Sequence, residues 1–265
     1  LLAVPRAATG CAKAGHELDE ILKFFSGVHA RLEVRSNLTC GAGPGAMMGT
    51  VSVKKKRDER RKAPDLSADE ELTPAGIWDR QALEYAHVTG GDLSGQKLQQ
   101  FAAHYSIIEG VSFAQANLGP VRLRDVRLLR CDLSNAVACG LEASRVEFVD
   151  CRLIGIKAIE CRMEDILLER CDVRYAQFND GAAKYSEFVD CQLQEADFRG
   201  TNLENTTSIR ANLSRADFRG AKLAAADLRC AEVEGLLVAA ADLPGAIVNP
   251  SQAMEFARLL GLVIR

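Results

Sequence analysis

The chain has 265 residues, a formal net charge of −3 and 48% hydrophobic residues, a balance that suits a soluble domain with its own core and makes no bulk-charge case for nucleic-acid or membrane binding. No apolar run approaches the length of a membrane span. The opening Leu1–Val4 run is ended by Pro5 and Arg6, so no export signal is read, and the expected compartment is the cytoplasm, where the nine cysteines stay as thiols.

Residues 1–72 read as an N-terminal extension, disordered or linker in character. MGTVSVKKKRDERRK has the character of a cytosolic start, so residues 1–46 are expected to lie upstream of a native start at Met47 or Met48, against the helical period of GHELDEILKFFSGVHARLEV. GAGPGAMMGT, at Gly41–Thr50, lacks the Gly-Lys-Ser/Thr ending of a phosphate loop and reads as linker. The basic cluster KKKRDERRK, at Lys54–Lys62, reads as a solvated tail, with an arm for nucleic acid or an acidic partner as the functional alternative. Residues 73–90 are expected to form a capping helix, with Thr73 as N-cap and Pro74 in its first position, and to lay Trp78, Leu83 and Tyr85 over the N-terminal end of the region that begins at Gly91, although the period of that region can also be traced back through QALEYAHVTG, which leaves the boundary open between Gln81 and Gly91.

From Gly91 the chain divides every five residues, without insertion, to Pro250: 32 pentapeptides over residues 91–250. The central residue of each is apolar except Ser208, and the first is small or apolar with Gln96 as the clear outlier. A period of five walks around a helix and flips the face of a long strand, so neither element explains it. A short extended piece followed by a turn does: the first and third residues point inward, and four pieces close a twenty-residue square. Its faces are numbered from the pentapeptides at Gly91, Gln96, Phe101 and Ser106.

These residues carry a resemblance. ANLSRADFRGAKLAAADLRC resembles the pentapeptide repeat family, whose consensus is Ala-(Asp/Asn)-Leu-x-x, and the resemblance extends over residues 86–250. It implies an all-β solenoid, a right-handed four-sided parallel β-helix. In this chain that means about eight coils, roughly 38 Å long at the usual strand spacing.

The cysteines fall into place on the first face, whose first positions run Gly91, Val111, Cys131, Cys151, Cys171, Cys191, Ala211, Ala231. Cysteine serves there as a small buried hydrophobe; four sulfurs aimed the same way make neither a tetrahedral metal site nor well-aimed disulfides. Phe178, Phe198 and Phe218 stack on the second face, and Phe148, Leu168 and Phe188 on the fourth. Pro120, Pro244 and Pro250 take outward turn positions. Residues 251–265 are expected to form a capping helix and tail, with Ser251 as N-cap, Gly261 as C-cap, and Met254, Phe256, Leu260, Leu262 and Ile264 available to cover the last coil. Dimerisation of family members through this end makes a homodimer the alternative use of the same residues.

No catalytic or metal constellation is read, and no cofactor is expected. His16, His29, His87 and His104 are scattered, and the second-position Asp132, Asp172, Asp197 and Asp217 match the consensus and suit turn hydrogen bonds. On the fourth face Arg130, Asp150, Arg170, Asp190 and Arg210 should form an exposed ion-pair ladder. Beside it run Leu129, Val149, Glu169, Val189 and Ile209, with Leu167 and Ile247 nearby, the most apolar outer strip and a candidate protein-binding face. The function expected is a non-enzymatic interaction scaffold with an unidentified protein partner, without direct nucleic-acid or membrane binding. The alternative implied by the resemblance is the quinolone-resistance branch, whose rods mimic duplex DNA and bind DNA gyrase and other type II topoisomerases. Residues 91–265 carry about 24 acidic and 20 basic residues, a weak charge for such mimicry.

Overall fold

The period of five has a local cause. Among the described residues, twenty non-glycine residues adopt positive φ, between 47° and 61°, and every one falls at a multiple of five from Tyr85 to Ala225. Each is a single left-handed residue that turns the chain through one corner, at a cost of about 1 kcal/mol that ladder bonds and core packing must offset. Pro120 cannot take this conformation, and Gly119 carries it one residue earlier with φ 63°. The computed structural model describes residues 61–66, 72–75 and 82–260.

The result is a parallel all-β solenoid of about eight coils. Its strands are β1 (Thr73–Ala75), β2 (Ala82–Glu84), β3 (Ala86–Asp92), β4 (Phe101–Ser112), β5 (Val121–Leu129), β6 (Glu142–Val149), β7 (Arg162–Glu169), β8 (Ala182–Lys184), β9 (Glu187–Val189), β10 (Thr207–Asn212) and β11 (Asp227–Glu232). Pairing steps by twenty residues, as in Val126 to Val146 to Ile166, so identical positions stack. Single bridges continue the ladder on the narrower faces, through Asp132, Arg152, Asp172, Gln192 and Asn212.

Two kinds of corner shape the rod. On the first and second faces the N–H after the left-handed residue donates back to the third-position carbonyl, as from Ala136 to Leu133 and from Ala196 to Leu193, both at 3.1 Å. With positive φ at the residue before the donor, this is the pattern of a type II turn. Second-position side chains brace it: Asp132 accepts from Ser134 N–H at 2.9 Å, Asn212 from Ser214 N–H at 2.9 Å, and Asp217 from Arg219 N–H at 3.1 Å. Between the third and fourth faces, strands β4 to β7 instead run straight through Tyr105, Asp125, Arg145 and Asp165. The second positions ahead of that corner are Ala102, Arg122, Glu142 and Arg162, none able to form the Asx turn. After three of its four residues come Val126, Val146 and Ile166, which favour extended backbone. The tight turn returns at Asn202, which accepts Glu204 N–H at 3.0 Å.

First and third positions fill the interior. Phe178 and Phe198 lie 5.3 Å apart and Phe198 and Phe218 5.2 Å apart, all buried, as are Phe148, Leu168 and Phe188. Cys131, Cys151, Cys171 and Cys191 are buried in one column, each thiol donating to a backbone carbonyl, for example Cys171 to Phe148 at 3.4 Å and Cys191 to Leu168 at 3.3 Å. The neighbouring Cys151 thiol and burial both push Cys171 upward, and burial pushes Cys161 up to about 11. Among the described residues the cysteines are free thiols, and no cluster of His, Cys, Asp and Glu could hold a metal ion.

The ends differ from expectation. In place of the helix expected within residues 73–90, the described residues there form strands, with a bend at Tyr85. Thr73–Ala75 pairs with β3, and Ala82–Glu84 pairs with β4 at the twenty-residue step, so repeat geometry reaches back to Ala82. A period of five continued through this stretch and outweighs the local N-cap signal; Trp78 lies outside the described residues. At the other end, helix α1 spans Pro250–Ala257, and its N-cap is Asn249 rather than Ser251. Asn249 Oδ1 accepts Gln252 N–H at 2.9 Å while Gln252 Oε1 accepts Asn249 N–H at 3.0 Å, a capping box. Pro250 is therefore the first helical residue, where its fixed φ and missing N–H fit, and not a turn position. Gln252 Nε2 donates to Leu228 O at 2.8 Å and Ala231 O at 2.9 Å, satisfying the open edge of the last coil. A final turn, Arg258–Leu260, closes the described residues, and Gly261, Leu262 and Ile264 lie outside them.

Candidate protein-docking face

The wide corner and the adjoining half of the fourth face carry four carboxylates in neighbouring coils: Asp125 and Asp165 at the corner, Glu147 and Glu187 at second positions. Asp125 is fully buried, and Glu147 and Asp165 nearly so. Arg145, one coil on, clasps Asp125 with two bonds of 2.6 Å. Burial pushes the Asp125 carboxyl up, but the Arg145 guanidinium and the N–H of Asp65 outweigh it and hold the group below the usual carboxylate range. Arg127 bonds Glu147 at 2.9 Å.

The remaining partners come from far away in sequence. Residues Arg61–Leu66 lie along this corner. Lys62 N–H donates to Asp165 at 2.8 Å and Asp65 N–H to Asp125 at 2.9 Å. The Arg61 guanidinium reaches Glu147 at 3.3 Å and Glu187 at 3.4 Å. Glu147, Leu167 and Glu187 are consecutive in the ladder, so this guanidinium sits above Leu167. Only 12% of the Arg61 side chain is exposed. The solvated tail expected at Lys54–Lys62 is thus docked at its last two residues, and the extension expected to be linker is bonded to the rod over Arg61–Leu66. The rest of both segments lies outside the described residues.

This changes the apolar strip. Leu129, Val149 and Ile209 are half-buried, but Leu167 is 5% exposed and Val189 2% exposed, so neither is open surface. Of the C-terminal residues, Phe256 is buried against the last coil and Met254 is 52% exposed. No sequence period announces the docked segment. The available signal was the loss of Asp and Asn from second positions ahead of the wide corner, together with carboxylates at adjoining positions.

The ion-pair ladder exists as separate clasps. Arg170 binds Asp150 at 2.6 and 2.9 Å, Arg210 binds Asp190 at 2.5 and 2.6 Å, and Arg130 turns the other way to Glu109. The tight-turn faces add a local version, which recurs at Asp227 on the fourth face. Arg174, Arg199, Arg219 and Arg229 each fold back onto the Asp two residues earlier, with closest contacts of 2.7, 2.6, 2.6 and 2.6 Å. These arginines hold Asp172 and Asp217 below the usual range.

Residues 121–232 match the pentapeptide repeat family. The family's pentapeptide repeat region model matches residues 121–198, and its model of eight pentapeptide repeats matches residues 186–232. A search of curated proteins finds no match. Among solved structures the chain is similar to a trypsin-treated form of QnrB1, a plasmid-mediated fluoroquinolone resistance protein, at 22% identity over 69% of this chain and 90% of that one, with a TM-score of 0.39. It is also similar to Rfr23, a pentapeptide repeat protein of the cyanobacterium Cyanothece 51142, at 18% identity over 43% of this chain and 64% of that one, TM-score 0.18. A pentapeptide repeat protein of the Arabidopsis thaliana thylakoid lumen matches at 14% identity over 64% of this chain and 76% of that one, TM-score 0.18. Among the described residues no helix is long and apolar enough to cross a membrane.

Proposed function

We propose that this protein is a non-enzymatic scaffold that binds a protein partner through the fourth face of its rod and the corner beside it. One observation carries the reading: that corner already holds a polypeptide segment, Arg61–Leu66, through two backbone N–H groups and a guanidinium. A surface that seats a chain in this way has the chemistry of a protein-binding surface. The half-buried Leu129, Val149 and Ile209 lie on the same face and would widen the contact, beside Leu167 and Val189.

The duplex-mimic alternative asks for an acidic surface, and this rod neutralises its own. Asp150, Asp172, Asp197, Asp217 and Asp227 each bind an arginine side chain. The two readings separate in one experiment. Full-length protein is titrated into DNA gyrase supercoiling reactions with and without a fluoroquinolone, and in parallel Leu129→Arg and Ile209→Arg are compared with wild type in retention of proteins from the native host. The scaffold reading expects unchanged supercoiling and a retained species lost in both variants at unchanged melting temperature. Inhibition of supercoiling, or relief from the drug, would instead establish the mimic.

A further inference from the structure

The carboxylates of the wide corner are unevenly answered by the rod. Arg145 binds Asp125 and Arg127 binds Glu147 from neighbouring coils. Among the described residues, the hydrogen bonds to Asp165 and Glu187 come from Arg61–Leu66. Arg145 also acts on Asp165 through its charge, but the hydrogen bonds to these two carboxylates come from the docked segment, and that segment is basic. Its hold is slight. Lys62, Ala63 and Asp65 are exposed, Pro64 and Leu66 are only half-buried, and the segment adds no residue to the core.

The spacing is specific. The two donating N–H groups belong to residues three apart, and their acceptors lie two coils apart. Three residues of polyproline-like chain rise about 9.3 Å, and two coils about 9.6 Å. Such a chain has three residues per turn, so every third N–H faces the rod. Pro64 falls between the donors, where its missing N–H is not needed and its ring favours the extended form. The geometry reads an arginine, then an N–H one residue later, then an N–H four residues later.

We propose that the corner lined by Asp125, Glu147, Asp165 and Glu187 is a recognition site for an extended basic segment of a partner protein with this pattern, and that Arg61–Leu66 occupies it in cis until such a segment displaces it. This rests on the scaffold reading and names the chemistry of its partner.

The test uses full-length protein and a fluorescein-labelled peptide RRKAPDLS, followed by anisotropy. A released variant carries Arg61→Glu and Lys62→Pro, which remove the guanidinium and one donor from the resident segment without touching the rod. A tethered competitor has a high effective concentration, so the released variant is expected to bind the peptide about tenfold more tightly than wild type. Glu187→Gln with Asp165→Asn in the released background should abolish binding, and a peptide with proline in the Lys62 position should not bind. In wild type, excess peptide should speed hydrogen exchange at the Lys62 and Asp65 amides. Equal affinity for wild type and released protein, no binding to a released protein that melts like wild type, or binding indifferent to Glu187 and Asp165 would each overturn the proposal. If the peptide fails while Leu129→Arg still loses a retained protein, the scaffold stands and this site does not.

Discussion

The tight-turn faces and the wide corner are built from the same pentapeptides, yet they handle charge in opposite ways. On the tight side an Asp braces its own turn and an Arg two residues later folds over it, so charge is neutralised within one pentapeptide and left in water: Arg199 and Asp197 are 53% and 20% exposed. At the wide corner no Asx turn forms, the strands run on, and charge is answered between coils and by a distant segment, with Asp125 fully buried. Local neutralisation makes a surface that needs nothing. Non-local neutralisation makes one that takes a ligand.

Both sides rest on one core, and the largest effect should come from breaking it. Leu153, buried at a third position of the first face, is predicted to unfold the rod when changed to Asp, because an unpaired charge would be buried at a cost of several kcal/mol. Circular dichroism on heating checks this. An unchanged transition would mean that third positions do not point inward.

The contrast between the two sides is sharpened by removing one arginine from each. Arg145→Met should cost about 3–5 kcal/mol, because Asp125 would keep its charge without its main counter-ion. Arg199→Met should cost less than about 1 kcal/mol, because its pair is exposed and screened. Urea midpoints measure both. Equal losses would erase the distinction between the two sides.

Acid should act on the corner in a predictable direction. The folded-state pKa of Asp125 is depressed, so its contribution is complete above its unfolded value, near 3.9, and fades as pH falls through the lower folded value. Asp125→Asn should therefore be less stable than wild type at neutral pH, with the gap closing below about pH 4. A gap that widens in acid would contradict the pairing with Arg145.

The rod was legible because its signal repeats. An unbroken phase from Gly91 to Pro250 defines inward positions, and the stacked columns of Cys171 and Phe198 follow from the twenty-residue step. The ends were read by rules for isolated helices, and tertiary pairing overrode them. Thr73 and Pro74 look like a helix start but sit in a strand completed by β3, and Asn249 displaced Ser251 because Gln252 could both close the box and reach the last coil. The docking of Arg61–Leu66 was legible only in part, as a basic cluster suited to an acidic partner and as carboxylates beside a corner without Asx turns. It depends on contacts across as many as 126 positions, which no local pattern encodes.

The smallest expected effect lies in the cysteine column. Cys171→Ala removes one sulfur from a packed site and leaves the Phe148 carbonyl without a weak thiol donor, so a loss of about 1 kcal/mol is expected. Because the column lies on the first face, in the interior, peptide binding at the wide corner should be unaffected. A melting curve and an anisotropy titration of the same variant test both halves. If binding fell while stability held, the column would be coupled to the corner, and the two sides of the rod would not be the independent surfaces that their charge pairing describes.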